Sequence, residues 1–144
     1  MINVLLISSS ADDIKVSWRH FCTNDYSAEA AVGNDKAIEN LKKSKKGTIP
    51  VFYCGNTTNC FIDFYRKLRA DEKTANIPLV VLADIRWTKV LSEYVHLVNT
   101  FVVGSTVSGS KLNDIMKTAS RGGFEKPSAG RSAPQKRPRQ NSAL

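Results

Sequence analysis

Three hydroxyl side chains, Ser8-Ser9-Ser10, follow directly on an apolar run at residues 2–7, and two carboxylates, Asp12 and Asp13, come just after them. Oxygen side chains are the ligands that Mg²⁺ prefers, provided that carboxylates supply negative charge to offset the dehydration of the ion. Neutral serines supply no such charge. We therefore expect the two carboxylates to cap a helix in solvent, and the serines to hold no metal.

Two cysteines, Cys54 and Cys60, lie on either side of a polar loop and could form a redox switch. A reactive thiol needs a lowered pKa, and neither cysteine has a Lys or Arg beside it in the sequence to lower it. Cys54 ends an apolar run, and cysteine is among the most frequently buried residues. We therefore expect Cys54 to be a buried strand residue. His20 and His96 have no metal-ligand spacing and are expected to be packing or surface residues.

The three serines must be positioned by the strand that precedes them. Residues 2–7 contain Val, Leu and Ile without alternation, which is typical of a strand buried on both faces. A helix is predicted directly afterwards, with Ile14, Trp18 and Phe21 on its apolar face and Ser10 as its N-cap. Ligands of open α/β sheets bind beyond the carboxyl ends of the strands, so the serines lie where an active site would be.

The alternation of strand and helix continues along the chain. Further strands are predicted at residues 26–32 (an edge strand), 49–54, 77–83 and 100–103. Further helices are predicted at about 35–45 (with Asn34 as a cap), 61–69, 90–95 and 112–119. Short connections between alternating elements imply right-handed crossovers and a parallel sheet between two helix layers. The predicted fold class is therefore α/β, with a doubly wound five-stranded sheet and five helices.

The composition is that of one ordinary globular domain followed by a tail. The chain has 144 residues, of which 42% are hydrophobic and 24% charged. Its apolar runs are much shorter than the ~20 residues of a membrane-spanning helix, and the first is too short for a signal peptide. We therefore expect a cytoplasmic protein that does not enter a membrane, with its three cysteines as free thiols.

The composition changes near residue 123, where prolines, serines and arginines replace apolar side chains. Residues 123–144 cannot bury enough surface to offset the entropy of ordering, so we predict a domain at 1–122 and a disordered basic tail at 123–144. The tail carries a net charge of +4, half of the +8 of the whole chain. Its cluster Lys136, Arg137 and Arg139 could contact phosphates, but the tail has no aromatic interleaving, and a nucleic-acid partner is not expected.

Four stretches of the sequence together resemble the receiver domain of two-component response regulators. They are residues 4–7 with the serines that follow, 64–71, 77–83 and 100–104, which have the order and spacing of that family. The resemblance covers residues 1 to about 121 and implies a flavodoxin-like sheet of strand order 2-1-3-4-5. It also implies a role in two-component signal transduction or phosphorelay, with a histidine kinase or another regulator as the partner.

The sequence departs from this family at each position that takes part in phosphorylation in a working receiver. A working receiver uses two acidic residues after strand 1, an aspartate at the end of strand 3 that accepts the phosphoryl group, a Ser or Thr after strand 4 and a Lys after strand 5. These positions fall here on Ser8 and Ser9, on Tyr53 or Cys54, on Ala83 and on Gly104.

Loss of these groups removes the charges that phosphoryl transfer needs. Cations neutralise the developing oxyanions of that reaction, and removal of a single electrostatic stabiliser typically costs ~2.7–4 kcal/mol. Asp84, close to the strand 4 position, would not rebuild the site alone. The sequence thus predicts a pseudo-receiver that is not an enzyme, binds no Mg²⁺ or other cofactor and acts as a phosphorylation-independent protein interaction module. A displaced phosphoacceptor site and nucleic-acid association through the basic tail are the alternatives.

A partner surface is expected where receivers usually dimerise, on the face made by helix 4, strand 5 and helix 5. Arg86, Trp87 and Tyr94 lie next to or within the predicted fourth helix and belong to the residue types enriched at interfaces. Phe101 lies on strand 5, where the family often has an aromatic residue. We expect Phe101 to fill the core, with a role in the interface as the alternative, and Trp87 either to join the interface or to pack inward.

Overall fold

The computed structural model describes residues 1–55, 59–92 and 98–122. Strands and helices alternate along this part of the chain, as the sequence predicts. The strands are β1 (Ile2–Ser8), β2 (Tyr26–Val32), β3 (Ile49–Cys54), β4 (Leu79–Ala83) and β5 (Thr100–Gly104). The helices are α1 (Ala11–Phe21), α2 (Asn34–Lys43), α3 (Asn59–Ala70), α4 (Ile85–Ser92) and α5 (Gly109–Ser120).

All neighbouring strands are parallel, and their order in the sheet is β2-β1-β3-β4-β5. This is the predicted flavodoxin-like order, with β2 at an edge as expected. The non-alternating strands β1 and β4 are central and bury both faces, and so form two apolar clusters. One cluster includes Leu5, Ile7, Phe52, Phe61 and Phe64 on the side of α2, α3 and α4. The other includes Val4, Leu6, Phe21, Leu112 and Met116 on the side of α1 and α5.

Helix α1 is rotated relative to the sequence prediction. Trp18 was expected on the apolar face but is 44% exposed, whereas Ser17 is fully buried. The face turned to the sheet consists of Ile14, Ser17 and Phe21, which are spaced i, i+3, i+7. The predicted set, with Trp18 in place of Ser17, is spaced i, i+4, i+7. Both spacings put three side chains on one face of a helix. The predicted N-cap is confirmed, because the Asp13 amide donates to Ser10 Oγ at 3.3 Å.

Several predicted helix and strand boundaries differ from the structure. Asn34 was expected to cap α2 but is its first residue, after Gly33 at φ +96°, and its amide instead donates to Cys60 O and Asp63 Oδ2 of α3. Strand β4 begins two residues later than predicted. Helix α4 begins at Ile85, five residues earlier than predicted, because the carbonyl of Asp84 accepts the first helical hydrogen bonds.

At the amino ends of β4 and β5 the chain is held together by Arg69 of α3. Its guanidinium donates to four backbone carbonyls, those of Ala75, Ile77, Val98 and Asn99, at 2.6–3.1 Å. The planar fork of five donors in Arg suits several acceptors at once. This contact joins two connections that are more than 20 residues apart in the sequence.

Three sequence predictions concern residues outside the described part of the chain. They are the disordered tail at 123–144, with Lys136, Arg137 and Arg139, the interface residue Tyr94, and His96 as a packing or surface residue. Within residues 1–55, 59–92 and 98–122, none of the helices combines the length and the apolar character that crossing a bilayer requires.

Candidate functional site

The carboxyl edge of the sheet brings together the positions that the sequence analysis singled out. Ser8, Cys54, Ala83 and Gly104 are the last residues of β1, β3, β4 and β5. Cys54 pairs in register with Ala83, and Ala83 with Gly104. Parallel strands end at the same edge, so residues far apart in sequence meet at that edge. We call the region around Ser8, Tyr53 and Asp84 the cleft. Ser9, one residue beyond β1, is exposed.

Ser8 and Asp13 form the end of the cleft nearest β1. Ser8 is fully buried, and its hydroxyl donates to Asp13 Oδ2 at 3.3 Å. Asp13 lies in the first turn of α1, where the helix dipole stabilises negative charge. The sequence suggested a solvated cap carboxylate, but Asp13 is half-buried and faces the cleft. Asp13 follows the last residue of β1, Ser8, by five residues. That short separation is the sequence signal for a carboxylate close to the end of β1.

Tyr53, not Cys54, shares the cleft with Ser8. Side chains alternate along β3, and Tyr53 packs on the side of Val4 and Leu6, whereas Cys54 packs on the opposite side of the sheet. Burial raises the pKa of the Tyr53 phenol, and the nearby carboxylates of Asp13 and Asp84 raise it further, with Arg86 acting in the opposite direction. The neutral phenol is therefore the form that occupies the cleft.

Cys54 is unsuited to redox chemistry. Its side chain is 1% exposed, and burial raises the pKa of its thiol from 9.0 to about 12, with a smaller contribution from Cys60. Since the thiolate is the reactive form, Cys54 is inert at neutral pH. The expectation of a buried strand cysteine is confirmed, and the redox alternative has no support at this residue.

Asp84 stands at the end of β4 and is held by Arg86. Oδ1 of Asp84 accepts from the Arg86 backbone N at 3.0 Å and from Arg86 Nε at 3.1 Å. These two hydrogen bonds, with the charge of Arg86, lower the pKa of the Asp84 carboxyl. The Asp84 carboxylate thus accepts from the first turn of α4 and forms an ion pair with Arg86.

Arg86 and Trp87 close the cleft on the side of β4. Arg86 Nη2 and Trp87 Nε1 each donate to the carbonyl of Gly55, both at 3.1 Å. Gly55 is packed so closely that a Cβ on it would lie 2.9 Å from Cε2 of the Tyr53 ring. Trp87 is half-buried against the core cluster of β3 and α3, so the inward alternative describes it better than the exposed interface residue.

The end of β5 contributes no cation. Nothing lies within 4 Å of a Cβ placed on Gly104, so this position is open space. The next residue, Ser105, donates its amide to Ala83 O at 2.9 Å, and its carbonyl lies 3.1 Å from Nε2 of His20 on α1. His20 is thus a packing residue, as expected, that ties α1 to the β5–α5 connection.

The oxygen atoms of the cleft do not fit Mg²⁺. The hydroxyl of Ser8 is directed to Asp13, Tyr53 carries a neutral phenol, and Asp84 already accepts two hydrogen bonds from Arg86. Mg²⁺ needs near-octahedral hard ligands with compensating charge, and of these four side chains only Asp13 and Asp84 are carboxylates. Among the residues that the structure describes, no three His, Cys, Asp or Glu side chains are placed to share a metal ion.

The expected partner face carries exposed apolar side chains. Phe101 on β5 is 38% exposed, so the expectation that it fills the core is wrong; β5 is an edge strand of the sheet. Ile85 on α4 is 84% exposed, and Arg86 beside it is also exposed. Helix α4 packs against β5.

No protein-family model and no curated protein matches the sequence. Several solved structures do match the fold. The receiver domain of a sensor histidine kinase from Pseudomonas aeruginosa PAO1, solved with a magnesium ion coordinated in its active-site cleft, is 12% identical, with a TM-score of 0.66 over 83% of this chain and 98% of that chain.

Two further structures are similar to a comparable degree. A response regulator receiver protein from Pseudomonas putida is 20% identical, with a TM-score of 0.60 over 81% of this chain and 96% of that one. A sensor protein from Polaromonas sp. JS666 is 14% identical, with a TM-score of 0.64 over 83% of this chain and 96% of that one. This chain therefore has the fold of a response regulator receiver domain.

Proposed function

We propose that the protein is an atypical single-domain response regulator that acts in signal transduction as a phosphorylation-independent protein interaction module. It is not an enzyme and uses no Mg²⁺. Its partner is a histidine kinase or another regulator. The observation that carries this proposal is the cleft itself, in which the scaffold is complete but the groups that activate a phosphoryl acceptor are replaced.

The composition of the cleft supports the loss of phosphorylation. A tyrosine with a raised phenol pKa is a poor nucleophile toward a phosphodonor, since the reactive phenolate is scarce at neutral pH. No lysine extends from Gly104, and Arg86 is committed to Asp84 and Gly55 O. Phosphoryl transfer depends almost entirely on such positioned cations, so this cleft offers little stabilisation of the transition state.

The α4–β5 side supports a docking role. It presents Phe101, Ile85 and Val90 as exposed apolar side chains next to the exposed Arg86. Aromatic and Arg side chains are enriched in the residues that dominate binding energy at interfaces. We propose this side as the surface for a partner regulator or for a second copy of the chain.

The deciding experiment is incubation of the full chain with acetyl phosphate and Mg²⁺, with intact-mass spectrometry as the readout. We expect no added phosphoryl mass under conditions that fully label an ordinary receiver domain used as the positive control. A stable, acid-resistant and base-labile adduct of one phosphoryl group would overturn the proposal.

A displaced phosphoacceptor is the second candidate function, favoured by the carboxylate of Asp13, which accepts from Ser8 at the cleft. The same incubation discriminates between the two, because peptide mapping would locate an adduct on Asp13 or Asp84. If the adduct is on Asp13, an Asp13→Asn variant should abolish labelling, whereas Asp12→Asn, on the exposed neighbour, should leave it unchanged.

A further inference from the structure

The start of α4 is fastened to the residue that follows β3. The carbonyl oxygen of Gly55 accepts two hydrogen bonds from α4, one from Arg86 Nη2 and one from Trp87 Nε1, both at 3.1 Å. The guanidinium carbon of Arg86 also lies 5.8 Å from the centre of the Trp87 ring, within the range of a cation–π contact. We call these three residues the Gly55 tether.

Contacts on both sides orient the donors of the Gly55 tether. Asp84 Oδ1 accepts from Arg86 Nε at 3.1 Å, which fixes the plane of the guanidinium, and the amide of Asp84 donates to Cys54 O at 3.0 Å. The Trp87 ring packs against the core cluster of β3 and α3. The position of α4 that satisfies both hydrogen bonds to Gly55 O is therefore narrowly defined.

Helix α4 buries few side chains of its own. It has eight residues, and isolated helices of fewer than ~12 residues are only marginally stable in water. Among residues 85–91, Leu91 alone is fully buried, while Ile85 is 84% exposed and Val90 is 39% exposed. The placement of this helix therefore depends strongly on the hydrogen bonds at its start.

We propose that Arg86 and Trp87 are positioning residues of the docking surface on the α4–β5 side, and that the Gly55 tether holds α4 in one orientation without a phosphoryl group. Since α4 carries the exposed Ile85 and Val90, hydrogen bonds within the chain set how these two side chains are presented to a partner. This inference rests on the proposed function, because it accounts for a docking surface that needs no phosphorylation.

Hydrogen exchange of the full chain at pH 7, followed by mass spectrometry, measures how readily α4 opens. Trp87→Phe keeps an aromatic ring but removes one hydrogen bond of the Gly55 tether, and Arg86→Ala removes the other. Each should speed the exchange of the α4 amides by at least about fivefold, the effect expected for the loss of one hydrogen bond. Lys89→Ala, at an exposed position of the same helix, should stay within about twofold of wild type.

A matched variant separates a local effect from a loss of global stability. Ile115 of α5 is buried in the cluster on the opposite side of the sheet, and Ile115→Val costs about as much stability as the loss of one hydrogen bond. Local opening of α4 leaves the contacts of Ile115 intact, so this variant should change the α4 exchange by less than about twofold. Equal increases in Trp87→Phe and Ile115→Val would overturn the inference, because α4 would then open only when the whole chain unfolds.

The Nε1 proton of Trp87 reports on the Gly55 tether directly. The chain has two tryptophans, so Trp18→Phe identifies the indole signal of Trp87 in a ¹H–¹⁵N NMR spectrum. This proton should exchange at least about tenfold more slowly than that of the exposed Trp18, and Arg86→Ala should speed its exchange. Equally fast exchange of the two indole protons would overturn the inference.

A phosphodonor separates the Gly55 tether from the proposed function. Acetyl phosphate with Mg²⁺ should leave the α4 exchange of wild type unchanged, because the tether requires no phosphoryl group. A phosphoryl adduct without a change in α4 exchange would overturn the proposed function and support the tether. An adduct that changes the α4 exchange would overturn both.

Discussion

The hydroxyl of Ser8 donates to Oδ2 of Asp13 at 3.3 Å and so joins the end of β1 to the first turn of α1. Ser8 is fully buried, whereas its neighbour Ser9 is exposed. In the resembling family both positions are acidic and are balanced by a metal ion. In this chain the buried position holds a neutral hydroxyl, which donates a hydrogen bond to the carboxylate of Asp13.

A carboxylate at the buried position should therefore be costly. Ser8→Asp removes the donor to Asp13 and places a like charge beside it, which we expect to lower the free energy of unfolding by about 2 kcal/mol at pH 7. The loss should shrink as the pH falls towards 4, because a buried carboxyl next to another has a raised pKa and becomes neutral. Urea denaturation at both pH values measures this, with Ser9→Asp, at the exposed neighbour, as the control within about 0.5 kcal/mol of wild type.

The two tryptophans should respond differently to the same substitution. Trp87→Phe removes the hydrogen bond from Nε1 to Gly55 O and leaves the partly enclosed ring space unfilled, so we expect a loss of about 1 kcal/mol of stability. Trp18→Phe, on the exposed face of α1, should change stability by less than about 0.5 kcal/mol. Chemical denaturation followed by far-UV circular dichroism tests both, and equal losses would contradict the structural assignment of Trp87.

Alkaline stability should depend on Cys54. The thiol pKa is raised from 9.0 to about 12 in the folded chain, so the unfolded chain releases this proton first as the pH rises. The thiol contribution is thus fully present below pH 9 and is lost progressively between pH 9 and 12. Under reducing conditions, stability from pH 8 to 10.5 should fall less steeply in Cys54→Ala than in wild type. The exposed Cys22→Ala should keep the wild-type slope, and identical slopes in all three proteins would refute the assignment.

Arg69 should be among the most sensitive charged positions. Arg69→Ala removes donors from the carbonyls of Ala75, Ile77, Val98 and Asn99, and hydrogen bonds from charged donors contribute about 1.5–3 kcal/mol each. Solvent reaches part of these carbonyls, so we expect a total loss of at least about 2 kcal/mol in urea denaturation. Arg66→Ala, on the exposed face of the same helix, is the control and should change stability by less than about 0.5 kcal/mol.

If the α4–β5 side joins two copies of the chain, Phe101 should control the association. Phe101→Glu places a charge in the proposed interface and should shift the sedimentation coefficient to that of a monomer at all concentrations. Trp18→Glu, a similarly exposed aromatic on α1, should leave the concentration dependence of wild type unchanged. Equal effects of the two substitutions would show that self-association uses another surface. A wild-type chain that is monomeric at all concentrations would show that the α4–β5 side does not join two copies.

The order of the strands and helices, and the residue types at the carboxyl edge of the sheet, were readable from the sequence. Non-alternating apolar runs identify buried parallel strands, and their short connections to helices leave one common way to wind the sheet. Residue types alone also show that neutral side chains stand at Ser8, Ala83 and Gly104, whatever the geometry around them. Strand periodicity and residue type are local properties, so they can be read without knowledge of contacts between distant segments.

Only the tertiary structure decided which face of each element meets which neighbour. Ile14 and Phe21 fit a helical face with either Ser17 or Trp18, and packing against the sheet selected Ser17. The pairing of strands likewise placed Tyr53, rather than Cys54, in the cleft. One groove is lined by Lys42, Lys45, Lys46 and Lys73 only because α2 and the α3–β4 connection end at the same edge. Periodicity determines which residues share a face, but the contact partners of that face follow from crossovers between segments far apart in the chain.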